Sequence, residues 1–90
     1  MLTKELLSEF SKIENKIFAL NDYLYKNPEL GYEEIKSHKE ITKLISNNIS
    51  SAKIRKVPEM PTAFTGIINK KGRNQKTISI CIEYDALPGV

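Results

Sequence analysis

The sequence predicts an α/β fold in which two N-terminal helices pack on a partial sheet of about three strands. Three observations indicate this fold. Apolar residues recur every three or four positions over residues 4–47, short β-branched runs follow over residues 52–84, and proline or glycine separates the segments. The chain has 90 residues, of which 40% are hydrophobic and 28% are charged. Its length corresponds to one small domain or to a piece of a larger one, with a small core.

The first helix is predicted over residues 4–26. Thr3 is a suitable N-cap, and the dipeptide Asn27-Pro28 should end the helix because a residue before proline avoids helical geometry. The apolar residues that recur at helical spacing are Leu6, Phe10, Ile13, Ile17, Leu20 and Leu24.

The second helix is predicted over residues 32–47, after a tight connection in the stretch "NPELGYEE". Its expected buried side carries Ile35, Ile41, Leu44 and Ile45. Glu33 and Glu34 fall in the predicted first turn, where the helix dipole favours acids. We interpret this acidic pair as helix capping in preference to a catalytic role.

Three strands are predicted, in the stretches "AKIRKV", "TAFTGIIN" and "KTISICIEY". The polar turn "KKGRNQ" suggests that the second and third form an antiparallel hairpin. One face of the third strand is apolar, and the other carries the small residues Ser79 and Cys81. Small residues suit close packing, yet the chain offers no further helix for that face. The sheet is therefore expected to be unfinished.

Charge and targeting signals narrow the functional classes. The net charge is +3 and basic residues are interleaved with acids, which gives no reason to expect nucleic acid binding. A single cysteine fits a reducing compartment. The first ten residues contain acids, and no apolar stretch approaches the roughly 20 residues of a membrane span. We expect a cytoplasmic protein without a membrane partner.

Asp85 is the strongest candidate for a functional residue. It follows an apolar strand at its carboxyl end, where open α/β sheets place ligands and catalytic groups. An aspartate in a turn that bonds to its own backbone is the alternative. Glu83 lies two residues earlier on the same face, and two such carboxylates can bind a metal or share a proton. An exposed glutamate at a strand end is the favoured interpretation of Glu83.

The single histidine and the single cysteine are weaker candidates. His38 lies near the predicted buried side of the second helix, where a packed or half-exposed histidine is more common than a ligand. Cys81 lies in the middle of a predicted strand between apolar neighbours, and a buried thiol is usually inert. One histidine and one cysteine do not make a zinc site, which needs three or four ligands.

The stretches "NPELGYEEIKSHKEITKLI", "MPTAFTG" and "ICIEYDALPGV" occur in the order seen in a known family. They resemble the N-terminal part of the metal-dependent amidohydrolases and dipeptidases of the aminoacylase and glutamate-carboxypeptidase superfamily. The similar branch includes hippurate hydrolase, the aminobenzoyl-glutamate hydrolase subunit and Xaa-Arg dipeptidase. The resemblance covers about residues 14–90.

This resemblance implies the start of a zinc-peptidase-like catalytic domain that binds two divalent metals, zinc or manganese. Such an enzyme cleaves an amide bond of an N-acyl amino acid or a dipeptide and is a homodimer. Asp85 matches the family acid that orients a metal-ligating group. Glu83 stands where other branches carry a metal-binding histidine, but this branch takes its ligands from the stretch that follows "DALPG". No direct metal ligand and no cofactor-binding residue is therefore expected within this chain.

We accordingly expect residues 1–90 to be a single partial domain that lacks the smaller lid and dimerisation domain. The expectation is an N-terminal hydrolase fragment that binds no metal and has no activity alone. The alternative is a small non-catalytic binding or regulatory module that docks on a full-length relative.

Overall fold

The computed structural model describes residues 3–68 and 76–89, and within them the chain forms two helices followed by a two-stranded sheet. Helix α1 spans Lys4–Lys26 and helix α2 spans Ile35–Asn48. Strand β1 spans Lys53–Val57 and strand β2 spans Met60–Ile67. The predicted α/β fold is confirmed, with one strand fewer than expected in the described residues.

Both ends of α1 lie where the sequence predicts them. The Thr3 hydroxyl oxygen accepts a hydrogen bond from the Leu6 backbone N–H at 3.2 Å, as an N-cap does. At the other end, the backbone N–H and the side-chain amide of Asn27 both donate to the Tyr23 carbonyl, at 3.0 and 2.9 Å. Asn27 therefore satisfies a carbonyl that the helix leaves free, while Pro28 prevents a further turn.

The core of the described residues is small and centres on α2, which contacts α1 and both strands. Ile41 is only 6% exposed, and Leu44 and Ile45 are half-buried. The prediction was wrong for Ile35, which is 71% exposed. Helix α2 begins at Ile35, three residues later than predicted, so this residue opens the helix and lies beyond the packed part of its apolar side.

The sheet is a hairpin of β1 and β2. The strands are antiparallel, with Lys53 paired to Ile67 and Lys56 paired to Phe64. The register shifts between Lys56 and Val57, just before a two-residue proline–glutamate connection. Such an irregularity is typical next to a tight turn, where a proline offers no N–H to the ladder.

The predicted third strand is wrong, because residues 76–84 form no strand in the structure. Ile78 and Ile80 are 87% and 82% exposed, so the apolar face of this stretch has no covering layer among the described residues. Alternating apolar residues form a stable strand only with a neighbouring strand and a layer to pack against. The predicted hairpin turn "KKGRNQ" is residues 70–75, which lie outside the described residues.

The chain is elongated for its length. Its radius of gyration is 15.1 Å, whereas a compact chain of this length has a value of roughly 12 Å. Ile41 is the one fully buried apolar residue in the described part of the chain.

Within residues 3–68 and 76–89, no helix has the length and apolarity needed to cross a membrane.

We expect Ile41→Ala to destabilise the fold by about 2–4 kcal/mol, because the truncation leaves a cavity at the centre of the small core. Ile35→Ala is the matched control, since it removes the same atoms from the same helix at an exposed position. Urea unfolding followed by circular dichroism measures both. An equal loss in the two variants would contradict the assignment of the core to Ile41.

Candidate functional site

A groove of about 450 Å³ lies where the turn after α1, the start of β2 and residues 82–85 meet. It brings together both carboxylates that the sequence singled out. Among the residues that line it are Gly31, Glu34, Thr62, Glu83, Tyr84 and Asp85. We refer to it as the acidic groove.

A second groove, of about 400 Å³, lies between α1 and α2. Its lining includes Leu20, Leu44, Lys43 and Asn48. It contains neither of the carboxylates that the sequence identified. We therefore assign the candidate site to the acidic groove.

Asp85 is held against the turn that precedes α2. The Ala86 backbone N–H donates to the Glu29 carbonyl at 2.7 Å, and Leu30 and Ala86 form a parallel bridge. A β-carbon placed on Gly31 would lie 3.8 Å from Asp85 Oδ2. The motifs "NPELGYEE" and "EYDALPG" are far apart in the sequence, and the fold brings them into direct contact.

The turn in "NPELGYEE" differs from the one that its glycine suggests. Tyr32, with φ of 69°, takes the left-handed conformation, which is uncommon for a large side chain. The Glu33 backbone N–H donates to the Leu30 carbonyl at 2.9 Å and closes the turn. A β-carbon on Gly31 would lie at an ordinary van der Waals distance from the Asp85 carboxylate, so neither this contact nor the turn requires a glycine here.

Glu29 caps α2, a role that the sequence analysis assigned to Glu33 and Glu34. Glu29 Oε2 accepts a hydrogen bond from the Lys36 backbone N–H at 3.0 Å. Glu29 Oε1 accepts two from Ser37, one from its backbone N–H at 2.6 Å and one from its hydroxyl at 2.7 Å.

The prediction that Glu33 and Glu34 cap α2 was wrong. Helix α2 begins at Ile35, so both glutamates precede its first turn, and the Glu34 side chain makes no capping hydrogen bond. The turn before the helix carries Glu29 back over the free N–H groups instead. Ser37, which donates to Glu29, is only 2% exposed, and the sequence gives no sign of this burial.

The cap keeps Glu29 ionised. Burial raises the pKa of Glu29, but the hydrogen bonds from Ser37 and Lys36 and the positive charge of Lys36 outweigh burial. The pKa of Glu29 is therefore below its ordinary value of 4.5. Since the unfolded chain lacks these donors, folding favours the charged form of this carboxylate.

Glu34 lies in the acidic groove and bonds to the sheet. Its Oε1 accepts a hydrogen bond from the Thr62 hydroxyl at 2.9 Å. The Thr62 carbonyl in turn accepts a hydrogen bond from the Tyr84 hydroxyl. Burial and then the negative charge of Glu34 raise the pKa of Tyr84, so the phenol stays protonated and able to donate.

His38 and Cys81 take no part in a ligand set among the described residues. His38 is half-buried and packs edge-on against Phe64, with ring centroids 5.6 Å apart. The packed position expected for His38 is confirmed. Cys81 is exposed, and the expectation that it is buried was wrong because no strand forms around it.

The acidic groove does not hold a metal site by itself. Glu83 is exposed and lines the same groove as Asp85, although the strand that was predicted to place them on one face does not form. Across the described ranges 3–68 and 76–89, no group of three His, Cys, Asp or Glu residues is placed to hold a metal ion. The described residues alone therefore do not fit zinc or manganese, which need more ligands than this groove supplies.

Comparison with known proteins finds a similarity to a deacetylase. Over 77 residues the chain is 36% identical to an N-acetyldiaminopimelate deacetylase of Lactobacillus helveticus (strain DPC 4571). The similarity covers 83% of this chain and 20% of that protein. The chain resembles a segment of an amidohydrolase. It spans about one fifth of this relative's length, and no family model and no solved structure matches it.

This similarity supports the resemblance to the general amidohydrolase superfamily that the sequence motifs indicate. It does not separate the branches of that superfamily.

Glu29→Gln is expected to change how stability depends on pH. Because the pKa of Glu29 is lower in the folded chain than in the unfolded chain, its contribution is present above about pH 4.5 and is lost as pH falls through the folded pKa. The substitution should cost about 0.5–1 kcal/mol at neutral pH, since the cap is partly exposed to solvent. The variant should then lose less stability than the parent on acidification.

Urea midpoints measured across this pH range provide the test. Glu33→Gln is the matched control, because Glu33 is an exposed neighbour outside the cap. If Glu29→Gln and the parent chain lose the same stability on acidification, Glu29 is not the titrating cap.

Proposed function

We propose that this chain is part of the catalytic domain of a metal-dependent amidohydrolase, in which Asp85 orients a metal-ligating group. One observation carries the proposal. The three stretches that resemble this superfamily all contribute residues to one groove, and Asp85 lies in it beside Gly31. A carboxylate in such a place can accept a hydrogen bond from a ligating side chain and so fix its orientation.

The proposed reaction is hydrolysis of the amide bond of an N-acyl amino acid. The relative is named for removing an acetyl group from an amino-acid derivative, which supports N-acyl amino acids over dipeptides. Dipeptides remain the second substrate class, because the branch that contains hippurate hydrolase and Xaa-Arg dipeptidase includes both kinds of enzyme. A homodimeric parent enzyme is also part of the proposal.

The proposed metals are zinc or manganese, held by ligands outside the described residues. In hydrolases of this kind a bound metal polarises the carbonyl and lowers the pKa of water. The general base would likewise be supplied from outside the described residues. Within this chain, the proposed contribution is the placement of Asp85 and the walls of the acidic groove.

The surface of the chain supports packing into a larger domain. Apolar side chains are exposed along α1 and along residues 78–87. They include Leu6, Phe18, Ile78, Ile80, Ile82 and Leu87. Large exposed apolar side chains that lie together mark surfaces that contact other polypeptide.

The 90-residue chain by itself is expected to hydrolyse neither N-acetyl amino acids nor dipeptides in the presence of zinc or manganese. The physical reason is that the described residues offer no set of three metal ligands. Release of free amine, measured over long incubation, is the assay. Turnover that depends on added metal would contradict this expectation.

A hybrid enzyme tests the role of Asp85. In this hybrid, the aligned residues of the chain replace the matching stretch of the Lactobacillus helveticus deacetylase. We expect Asp85→Asn in the hybrid to lower kcat by about 10–100-fold, because the amide cannot orient the ligand as a carboxylate does. Glu83→Gln is the matched control and should leave kcat close to that of the hybrid.

Circular dichroism and metal content show whether each hybrid variant is folded and loaded. A folded, metal-loaded hybrid without activity would contradict the proposed function. So would a hybrid in which Asp85→Asn and Glu83→Gln have the same effect on kcat.

A further inference from the structure

We propose that Glu34 is a positioning residue for Asp85, acting through Thr62 and Tyr84. The inference rests on the proposed function, since it concerns the acid assigned to the reaction there. It assigns a role to a glutamate that the sequence indicated only as a helix cap.

The Glu34 side chain bonds to the sheet and not to the start of α2. An acid at the start of a helix ordinarily bonds to the free N–H groups of the first turn. Glu34 occupies the N-cap position of α2 but makes no such bond. Its carboxylate instead accepts a hydrogen bond from Thr62, which is buried at the start of β2. Because Glu29 already caps the helix, Glu34 is free to make this tertiary contact.

Thr62 connects Glu34 to the segment that carries Asp85. Its hydroxyl donates to Glu34, and its carbonyl accepts from the Tyr84 hydroxyl. The Tyr84 ring also stacks on Phe64, with centroids 6.3 Å apart and planes 30° apart. Tyr84 is thus fixed by its hydroxyl and by its ring.

Asp85 lies between two residues that are each held by a hydrogen bond, Tyr84 and Ala86. Tyr84 is tied to Thr62 on one side, and the Ala86 backbone N–H is tied to the Glu29 carbonyl on the other. Residues 76–84 form no strand in the described structure, so no ladder of backbone hydrogen bonds holds this segment there. The position of Asp85 therefore depends on these two attachments.

Misalignment of Asp85 is expected to lower the rate of catalysis. A displacement of about 1 Å in a catalytic array can cost a factor of 100 in rate. Removing the Glu34 carboxylate frees the Thr62 hydroxyl and loosens the attachment through Tyr84. Asp85 then remains present but is poorly aligned. Glutamine at position 34 keeps an oxygen that accepts the same hydrogen bond and should preserve the alignment.

Hydrogen exchange on the full 90-residue chain tests the attachment directly. The readout is the exchange rate of the Ala86 backbone amide, measured by NMR. Glu34→Ala should raise this rate by about tenfold, as expected when a hydrogen bond to a charged group is lost. Glu34→Gln should restore a rate close to that of the parent, and the exposed neighbour Glu33→Ala should leave it unchanged.

Tyr84→Phe is the second variant and keeps the ring on Phe64 while removing only the hydroxyl. It should also speed exchange at Ala86, and adding it to Glu34→Ala should cause little further change, because both act on one attachment. This variant decides the question if Glu34→Ala does not fold. Parent-like exchange in Glu34→Ala, or in Tyr84→Phe, would overturn the proposal.

The hybrid enzyme provides the functional readout. Glu34→Ala should lower kcat by about tenfold with KM unchanged, and Glu34→Gln should recover most of it. In the Asp85→Asn background Glu34→Ala should have no further effect on kcat, whereas a general loss of stability would still lower it. An additive loss would overturn the positioning role.

The two proposals fail in different ways. If Asp85→Asn leaves kcat of the hybrid unchanged, the proposed function fails, and Ala86 exchange in the 90-residue chain still decides whether Glu34 holds the segment. If Asp85→Asn lowers kcat but Glu34→Ala leaves exchange and kcat unchanged, the proposed function stands and the positioning role fails.

Discussion

Glu29 is the residue on which the rest of the structure depends. Its carboxylate accepts hydrogen bonds at the N-terminus of α2, and its backbone carbonyl accepts the Ala86 N–H. One residue therefore fixes the start of the second helix and the segment that carries Asp85. Both effects follow from the turn after α1, which brings position 29 close to both partners. Without this turn, α2 would lack its cap and the acidic groove would lose one wall.

The acidic groove combines a firmly packed side with a sparsely held one. On the packed side, α2 covers the hairpin of β1 and β2 and buries Ile41, Ser37 and Thr62. On the other side, residues 76–84 form no strand in the described structure and expose Ile78 and Ile80. A few specific contacts, through Tyr84 and Ala86, hold this second side in place. The geometry of such a site is sensitive to the loss of a single hydrogen bond, because no extended ladder of backbone hydrogen bonds holds this segment.

The similarity to a deacetylase and the geometry of the groove support the same interpretation of this chain. The aligned region corresponds to about one fifth of the relative. The described residues include three stretches that resemble the superfamily, but no group of three metal ligands. The proposed function, in which this part aligns an acid and other polypeptide supplies the metal ligands, is consistent with both facts. It also accounts for the exposed apolar side chains on α1 and on residues 78–87.

Local chemistry was enough to determine much of this protein from sequence. The start of α1 follows from the N-cap Thr3, and its end follows from Asn27-Pro28, since a residue before proline avoids helical geometry. The apolar period of α2 correctly marked Ile41. The tertiary structure alone decided the rest. The cap on α2 comes from Glu29, since the cap depends on the path of the turn and not on the nearest acid. Likewise, Glu34 meets Thr62, and Asp85 meets Gly31, only through folding. Sequence spacing predicts contacts within one element, whereas contacts between distant segments depend on how those elements pack.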